Sequence, residues 1–174
     1  MIIKDNPRFT LRTWEPDDAP SLTKQINNKK IWDNCRDGLP YPYTIDDACF
    51  YIKSVSEDNY SSQFCICIDG NAVGNIGFVR NTDIYRYSAE VGYWIGEEFW
   101  NCGIGTDALK IATDYYFGNS DVIRLHASVF IDNKASARVL EKVGFTLKCT
   151  LNNAAFKNGR FTDVLCYELI KPGF

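Results

Sequence analysis

Chemistry can first be read at Gly103 and Gly105, inside the run WNCGIGTDALKIATDYYF. Two glycines one residue apart let the backbone turn tightly and present its N–H groups outward. An amphipathic helix from about Gly105 adds the positive end of its dipole, so the pattern predicts a turn that holds a phosphate-bearing cofactor. Gly103-Ile104-Gly105-Thr106-Asp107-Ala108 also satisfies G-x-G-x-x-G/A, the dinucleotide fingerprint. Against that reading, the preceding strand ends well before Gly103, the turn follows several strands, and Asp121, the carboxylate at a suitable distance, opens the next strand instead of closing it. A nucleotide P-loop fails because no Gly-Lys-Ser/Thr follows the glycines. A turn serving packing alone is the plain alternative. Cys102 lies at the helix start, where a thiolate is favoured, but reads as a tolerated loop residue. His126, the single histidine, sits mid-strand with no nucleophile elbow nearby and reads as a packed side chain, not as part of a hydrolase triad.

The elements that must position this turn follow from periodicity and punctuation. Phe9 to Trp14 alternates as a strand, and Glu15-Pro16-Asp17-Asp18 starts a helix to about Asn27. Gly38 to Tyr43 carries two prolines and cannot be regular helix; Thr44-Ile45-Asp46-Asp47 caps a second helix over roughly Asp46 to Ser56. Gln63 to Ile68 and Ala72 to Arg80 form a hairpin about Asp69-Gly70-Asn71. Ser88 to Ile95 is the next strand, with Ala89, Val91, Tyr93 and Ile95 on one face and Ser88, Glu90, Gly92 and Trp94 on the other. The glycine turn leads into a helix whose stripe is Ile104, Ala108, Ile111, Ala112 and Tyr115, ending near Gly118. Val122 to Ile131 is a central strand, Asn133 to Val143 a helix closed by Gly144, and Phe145 to Phe156 and Arg160 to Leu169 a last hairpin. The order βααβββαβαββ predicts an α/β (α+β) fold: a mixed, mostly antiparallel sheet of about seven strands flanked by about four helices.

The 174 residues fit one domain, 1–174, able to bury roughly 70% of the surface of the unfolded chain. A hydrophobic fraction of 45% and a charged fraction of 24% are those of an ordinary globular protein. No signal-peptide core or long apolar run is present, which predicts a cytoplasmic protein without a membrane segment. The seven cysteines lack CxxC spacing and have one histidine as possible co-ligand, which argues against zinc; most lie in apolar runs and read as small hydrophobes. A net charge of -3 and a pI near 5.2 disfavour direct nucleic-acid or membrane binding and suit a cationic partner.

Context resolves the glycine turn. AEVGYWIGEEFWNCGIGTDALK, followed after one strand by Asn133-Lys134-Ala135-Ser136 and Glu141-Lys142-Val143-Gly144-Phe145, closely resembles the GNAT superfamily of acetyl-CoA-dependent N-acetyltransferases. Leu11 to Ala19 and Leu39-Pro40-Tyr41-Pro42-Tyr43 resemble its Rim-type branch, so that the likeness covers essentially the whole chain. The resemblance implies that Trp100, Asn101, Cys102, Gly103, Ile104, Gly105 and Thr106 form the pyrophosphate loop, with Trp100 in a place usually held by Arg or Gln. It implies that the backbone of Trp94 and Ile95 pairs with the pantetheine arm, and that Asn133 and Ser136 lie beside the pantetheine and the thioester sulfur. Glu90 is then the candidate base that takes a proton from the amine. The tyrosine that many members use as acid is matched here by Leu140; Ser136 is the alternative acid, or a cofactor contact only. Tyr167 and Asp163 are possible lining of the acceptor cleft.

The expected activity is direct acetyl transfer from acetyl-CoA, without a metal, to a primary amine, foremost a protein or peptide N-terminus. An α-amine is about 14% neutral at pH 7 against about 0.04% for a lysine, which makes it the easier acceptor. Antibiotic, polyamine or amino-acid acceptors, and a non-catalytic acyl-CoA sensor, are the other readings. A monomer or homodimer is expected.

Overall fold

The computed structural model describes residues 1–57 and 61–174. Its strands are β1 (Ile2–Asn6), β2 (Phe9–Thr13), β3 (Ser61–Ile68), β4 (Asn71–Arg80), β5 (Ser88–Ile95), β6 (Arg124–Phe130), β7 (Thr146–Lys157) and β8 (Arg160–Ile170). Its helices are α1 (Ala19–Ile26), α2 (Lys29–Trp32), α3 (Ile45–Glu57), α4 (Ile104–Asn119) and α5 (Lys134–Val143). The strands form one sheet in the order β1-β2-β3-β4-β5-β6-β8-β7, antiparallel except between β5 and β6. This is the mixed, mostly antiparallel α/β arrangement that the sequence predicts. Two elements were not anticipated. β1 is an edge strand whose side chains are mostly solvated, so it shows no alternation to read. α2 is a single turn, capped by the Asn28 side chain accepting from the Lys30 N–H.

Hydrophobic layers cover both faces. On one, α4 and α5 pack on Phe64, Ile66, Ile76, Phe78, Val91 and Leu125. On the other, α1 and α3 enclose Trp14, Leu22, Ile52, Cys65 and Cys67. The buried stripe of α4 includes Ile104, Ala108 and Ala112 as expected, but runs through Leu109, Thr113, Tyr116 and Phe117; Ile111 and Tyr115 lie at its margin. α4 also passes Gly118 and ends at Asn119, with Ser120 as its cap. The cysteines are less buried than expected. Only Cys65 and Cys67 are core residues, Cys35 and Cys166 are half-buried, Cys49, Cys102 and Cys149 are exposed, and all seven are free thiols.

The first helical region is tied to the sheet by charge. Arg12 of β2 grips Asp18 with two bonds of 2.7 Å, and Asp18 also accepts the Glu15 N–H at 2.9 Å, closing the turn before α1. Further on, Thr44 and Asp47 cap α3 reciprocally: Asp47 accepts the Thr44 N–H at 2.8 Å and Thr44 Oγ1 accepts the Asp47 N–H at 3.2 Å.

Among the described residues, no helix is long and apolar enough to cross a membrane, and no cluster of three or more His, Cys, Asp or Glu side chains is placed to hold a metal.

Candidate active site

The site is built where the sheet opens. β5 and β6 pair through only three residues each, Ser88 to Glu90 with Arg124 to His126. Beyond Glu90, β5 stays paired with β4 as far as Ile95, whereas β6 follows β8. A strand displays its main-chain groups to alternate sides. The Trp94 carbonyl lies against Gly74 of β4, where a Cβ would come within 2.7 Å of it, so the groups that face the opening are those of Tyr93 and Ile95. The Trp94 main chain expected to meet the cofactor arm thus faces β4, and Tyr93 displays its main chain to the opening instead. The Ile95 carbonyl is already engaged, accepting from the Trp100 indole at 2.7 Å.

The glycine turn sits at the wide end of the opening. Asn101 and Gly103 adopt left-handed backbone, with φ of 62° and 78°, and Gly103 stands at the N-terminus of α4. No side chain caps that helix, which leaves its first-turn N–H groups for a ligand. Gly105 is a close approach: a Cβ there would meet Ile95 Cδ1 at 3.0 Å. Trp100 spends the one polar atom of its side chain on closing the loop. Arg8, between β1 and β2, brings a guanidinium to the loop, donating to the Cys102 carbonyl at 2.7 Å and pairing with Asp107. Arg8 lies 94 residues from the loop in sequence, and no spacing rule could have found it. Uncapped N–H groups, an adjacent guanidinium and open main chain on β5 together fit a pyrophosphate with an extended amide-bearing arm.

On the narrow side, Asn133 caps α5, its Oδ1 accepting the Ser136 N–H at 3.1 Å, and thereby fixes Ser136. The Tyr93 hydroxyl meets Ser136 Oγ at 2.9 Å and the Ser136 carbonyl at 3.0 Å. Burial pushes the Tyr93 phenol up to about 12, against the pull of the Ser136 hydrogen bond, so it remains protonated at neutral pH. Sequence reasoning assigned Tyr93 to a core face and missed this pairing. Its signal is only that a tyrosine stands where the other residues of that face are aliphatic. Leu140, at the place of the expected acid, is fully buried.

A cleft of about 690 Å³ runs past Glu90, Gly92 and Trp94 to Asn75 and Gln63 on the other face of the same strands, and is lined as well by Tyr93, Asn133 and Ser136. Glu90 is half-buried and accepts from Arg36, whose side chain is 76% exposed. His126 is the partner of Glu90 across the ladder. Burial lowers the His126 pKa, the Glu90 charge opposing this, and Asn81 Nδ2 lies 3.2 Å from His126 Nε2, as expected of a packed and satisfied histidine. The loop that carries Arg36 is itself held. Lys157 is buried 3.3 Å from the centroid of the Trp32 ring and bonds Asp37 at 2.7 Å, while Asn158 bonds Asp33 at 2.9 Å. Tyr167 and Asp163 are not brought to the cleft: Tyr167 is buried with its hydroxyl on Glu141 at 2.9 Å, and Asp163 accepts the Asn153 N–H at 2.8 Å.

Comparison with known proteins agrees with this architecture. The family described as the acetyltransferase (GNAT) domain matches residues 8–146. A ribosomal-protein-serine acetyltransferase of Escherichia coli (strain K12) is 31% identical over 174 residues, covering 97% of this chain and 96% of that protein. A solved RimL ribosomal L7/L12 alpha-N-protein acetyltransferase in complex with coenzyme A shares the fold, with a TM-score of 0.88 at 22% identity over 100% of both chains. So does a spermidine N-acetyltransferase from Vibrio cholerae, with a TM-score of 0.81 at 24% identity, covering 95% of this chain and 97% of that one. The family match over residues 8–146 and the ribosomal-protein relative show that the chain belongs to the GNAT family, in its Rim-type branch, as an acetyl-CoA-dependent N-acetyltransferase.

Proposed function

We propose that the acceptor is a protein or peptide N-terminal α-amine. The observation that carries this reading is the charge of the cleft: among the described residues that line it, Glu90 is the one carboxylate, and Arg36 already pairs with it. A polyamine carries several cations and calls for several carboxylates; an N-terminus brings one. The similarity to a ribosomal-protein-serine acetyltransferase supports the same choice.

In this reading the α4 N-terminus, Arg8 and the backbone of Cys102 to Thr106 hold the pyrophosphate, and the open edge of β5 orients the pantetheine arm. The bound co-substrate supplies the acetyl thioester. An incoming ammonium displaces the exposed Arg36 from Glu90, which accepts the ammonium proton directly or through water, and the neutral amine then attacks the thioester carbonyl. Ser136 Oγ, backed by the Tyr93 hydroxyl, gives a proton to the departing thiolate and recovers one from the nitrogen of the tetrahedral intermediate, directly or through water. This pair occupies the role left vacant at Leu140, the vacancy that would otherwise favour a non-catalytic acyl-CoA sensor. Acid–base groups supply about 10²- to 10⁴-fold, and holding both substrates in line supplies more, so positioning carries much of the rate.

The test is thiol release from acetyl-CoA with a panel of amines. The reading expects kcat/KM for an N-terminal peptide at least tenfold above that for spermidine; the reverse order would make the protein a polyamine enzyme, and coenzyme A binding without release from any amine would make it a sensor.

A further inference from the structure

On the cleft face, Gln63 of β3, Gly77 of β4 and Gly92 of β5 stand side by side in the ladder, two residues along β5 from Glu90. Gln63 is oriented by a relay. The Trp14 indole can only donate, and it meets Asn75 Oδ1 at 3.0 Å, which fixes which end of the Asn75 amide is oxygen. Asn75 Nδ2 therefore faces Gln63 and donates to its Oε1 at 3.1 Å, which fixes Gln63 in turn. The Tyr51 hydroxyl, 3.1 Å from the first oxygen and 3.2 Å from the second, donates its single hydrogen to one of them. The outcome is that Gln63 presents Nε2, a neutral double donor, and none of the described residues accepts from it.

Glycine makes room for this arrangement. A Cβ at Gly77 would come within 2.2 Å of Gln63 Oε1, so the amide lies flat over bare backbone. A Cβ at Gly92 would meet nothing within 4 Å, so the sheet has a hollow between the Gln63 amide and Glu90. Adjacent strands are about 4.8 Å apart, which sets the hollow and the amide within the reach of one amino-acid residue whose amine faces Glu90.

We infer that Gln63, locked by Trp14 and Asn75, is a specificity-determining residue that donates from Nε2 to a carbonyl or hydroxyl oxygen of the acceptor's first residue, which sits over Gly92. This rests on the N-terminal α-amine reading above and adds the chemical demand that the acceptor carry an oxygen close to its amine. A polyamine offers only N–H groups there, donor against donor. Sites built to hydrogen-bond a substrate reject analogues lacking that group far more strongly than apolar pockets reject a missing methylene.

The test compares a hexapeptide with a free N-terminal serine against spermidine, by thiol release, for the wild type, Gln63→Glu and Gly92→Ala, with coenzyme A affinity measured for each. Gln63→Glu keeps the bond from Asn75 but replaces the donor with an acceptor. The expected result is a fall of tenfold or more in kcat/KM for the peptide, mostly in KM, a gain for spermidine, and coenzyme A affinity within twofold of wild type. Gly92→Ala, whose added methyl meets no neighbour, is expected to raise the peptide KM at least fivefold with coenzyme A affinity unchanged. A wild type that acetylates the peptide while both variants keep its peptide-to-spermidine ratio within twofold would overturn the role of Gln63 and leave the N-terminal reading standing. A wild type that uses spermidine and not the peptide would overturn both.

Discussion

The Tyr93 hydroxyl is 2.9 Å from Ser136 Oγ and 3.0 Å from the Ser136 carbonyl, so one phenol grips both ends of the same residue. It donates to the carbonyl while accepting from the serine, or donates to the serine directly. Either way Ser136 is held in one rotamer at the neck of the open ladder. If Ser136 is the acid, Ser136→Ala lowers kcat by about 10²-fold, and Tyr93→Phe by about tenfold with little change in KM. The double variant is expected to be no slower than Ser136→Ala, because the two hydroxyls act as one unit. Steady-state kinetics of the three variants check this.

The raised Tyr93 pKa has a signed consequence. The buried phenolate is disfavoured in the folded protein, so the stability linked to this group is present below pH 10 and lost as pH rises from 10 toward about 12. Activity should climb as the α-amine deprotonates near pH 8 and then stay level to about pH 10. Thermal denaturation and pH–rate profiles for wild type and Tyr93→Phe test this: the variant should lose less stability than wild type between pH 10 and 12.

In the proposed mechanism Glu90 is the base and Arg36 the gate in front of it. Glu90→Gln should lower turnover more than tenfold near neutral pH; an unchanged rate would remove Glu90 from the mechanism. Arg36→Ala should leave kcat within about threefold and lower the amine KM, because the ammonium no longer displaces a guanidinium. A rise in KM instead would show that Arg36 contacts the acceptor.

Binding alone tests the proposed phosphate role of the glycine turn. Arg8→Ala should weaken coenzyme A about three- to tenfold and flatten the salt dependence of its Kd, measured by calorimetry. Bound coenzyme A should also shield Cys102 from iodoacetamide, with the exposed Cys49 and Cys149 as internal references. Burial pushes the Cys35 thiol up to about 11, so it should react slowly in both states.

The Arg12–Asp18 pair is the charged anchor of the first helical region, with side-chain exposures of 11% and 4%. Asp18→Ala leaves a mostly buried guanidinium without its partner and should cost about 3–5 kcal/mol in a urea titration. Replacing both residues by apolar ones of similar size should recover most of that loss.

The glycine turn, the face of Glu90 and the αβαββ end of the chain could be read from sequence because each rests on local pattern: paired glycines, strand alternation, capped helices. The residues that were not legible act across distance. Arg8 reaches the loop from the far end of the chain, Arg36 meets Glu90 from an irregular segment, and Tyr93 lies on a strand face where periodicity says only core. Lys157 is the strongest case. A lysine beside a hairpin turn reads as solvated, yet it is 6% exposed, because a tryptophan face and Asp37 replace water around its ammonium. Gly92 shows the converse limit: a glycine inside a strand announces a missing side chain, but only the structure shows that the space above it is empty.

The three-residue contact between β5 and β6 also makes the sheet an unfinished one. Its two parts, β1 to β5 and β6 with β8 and β7, are joined there by few rungs, and an extended ligand with amide groups would serve as a surrogate strand between them. Occupancy then becomes a property of the fold as well as of the reaction: at a hundredfold excess over Kd a ligand adds about 2.7 kcal/mol to stability. Resistance to proteolysis and amide exchange at Tyr93 would report how full the cofactor pool is.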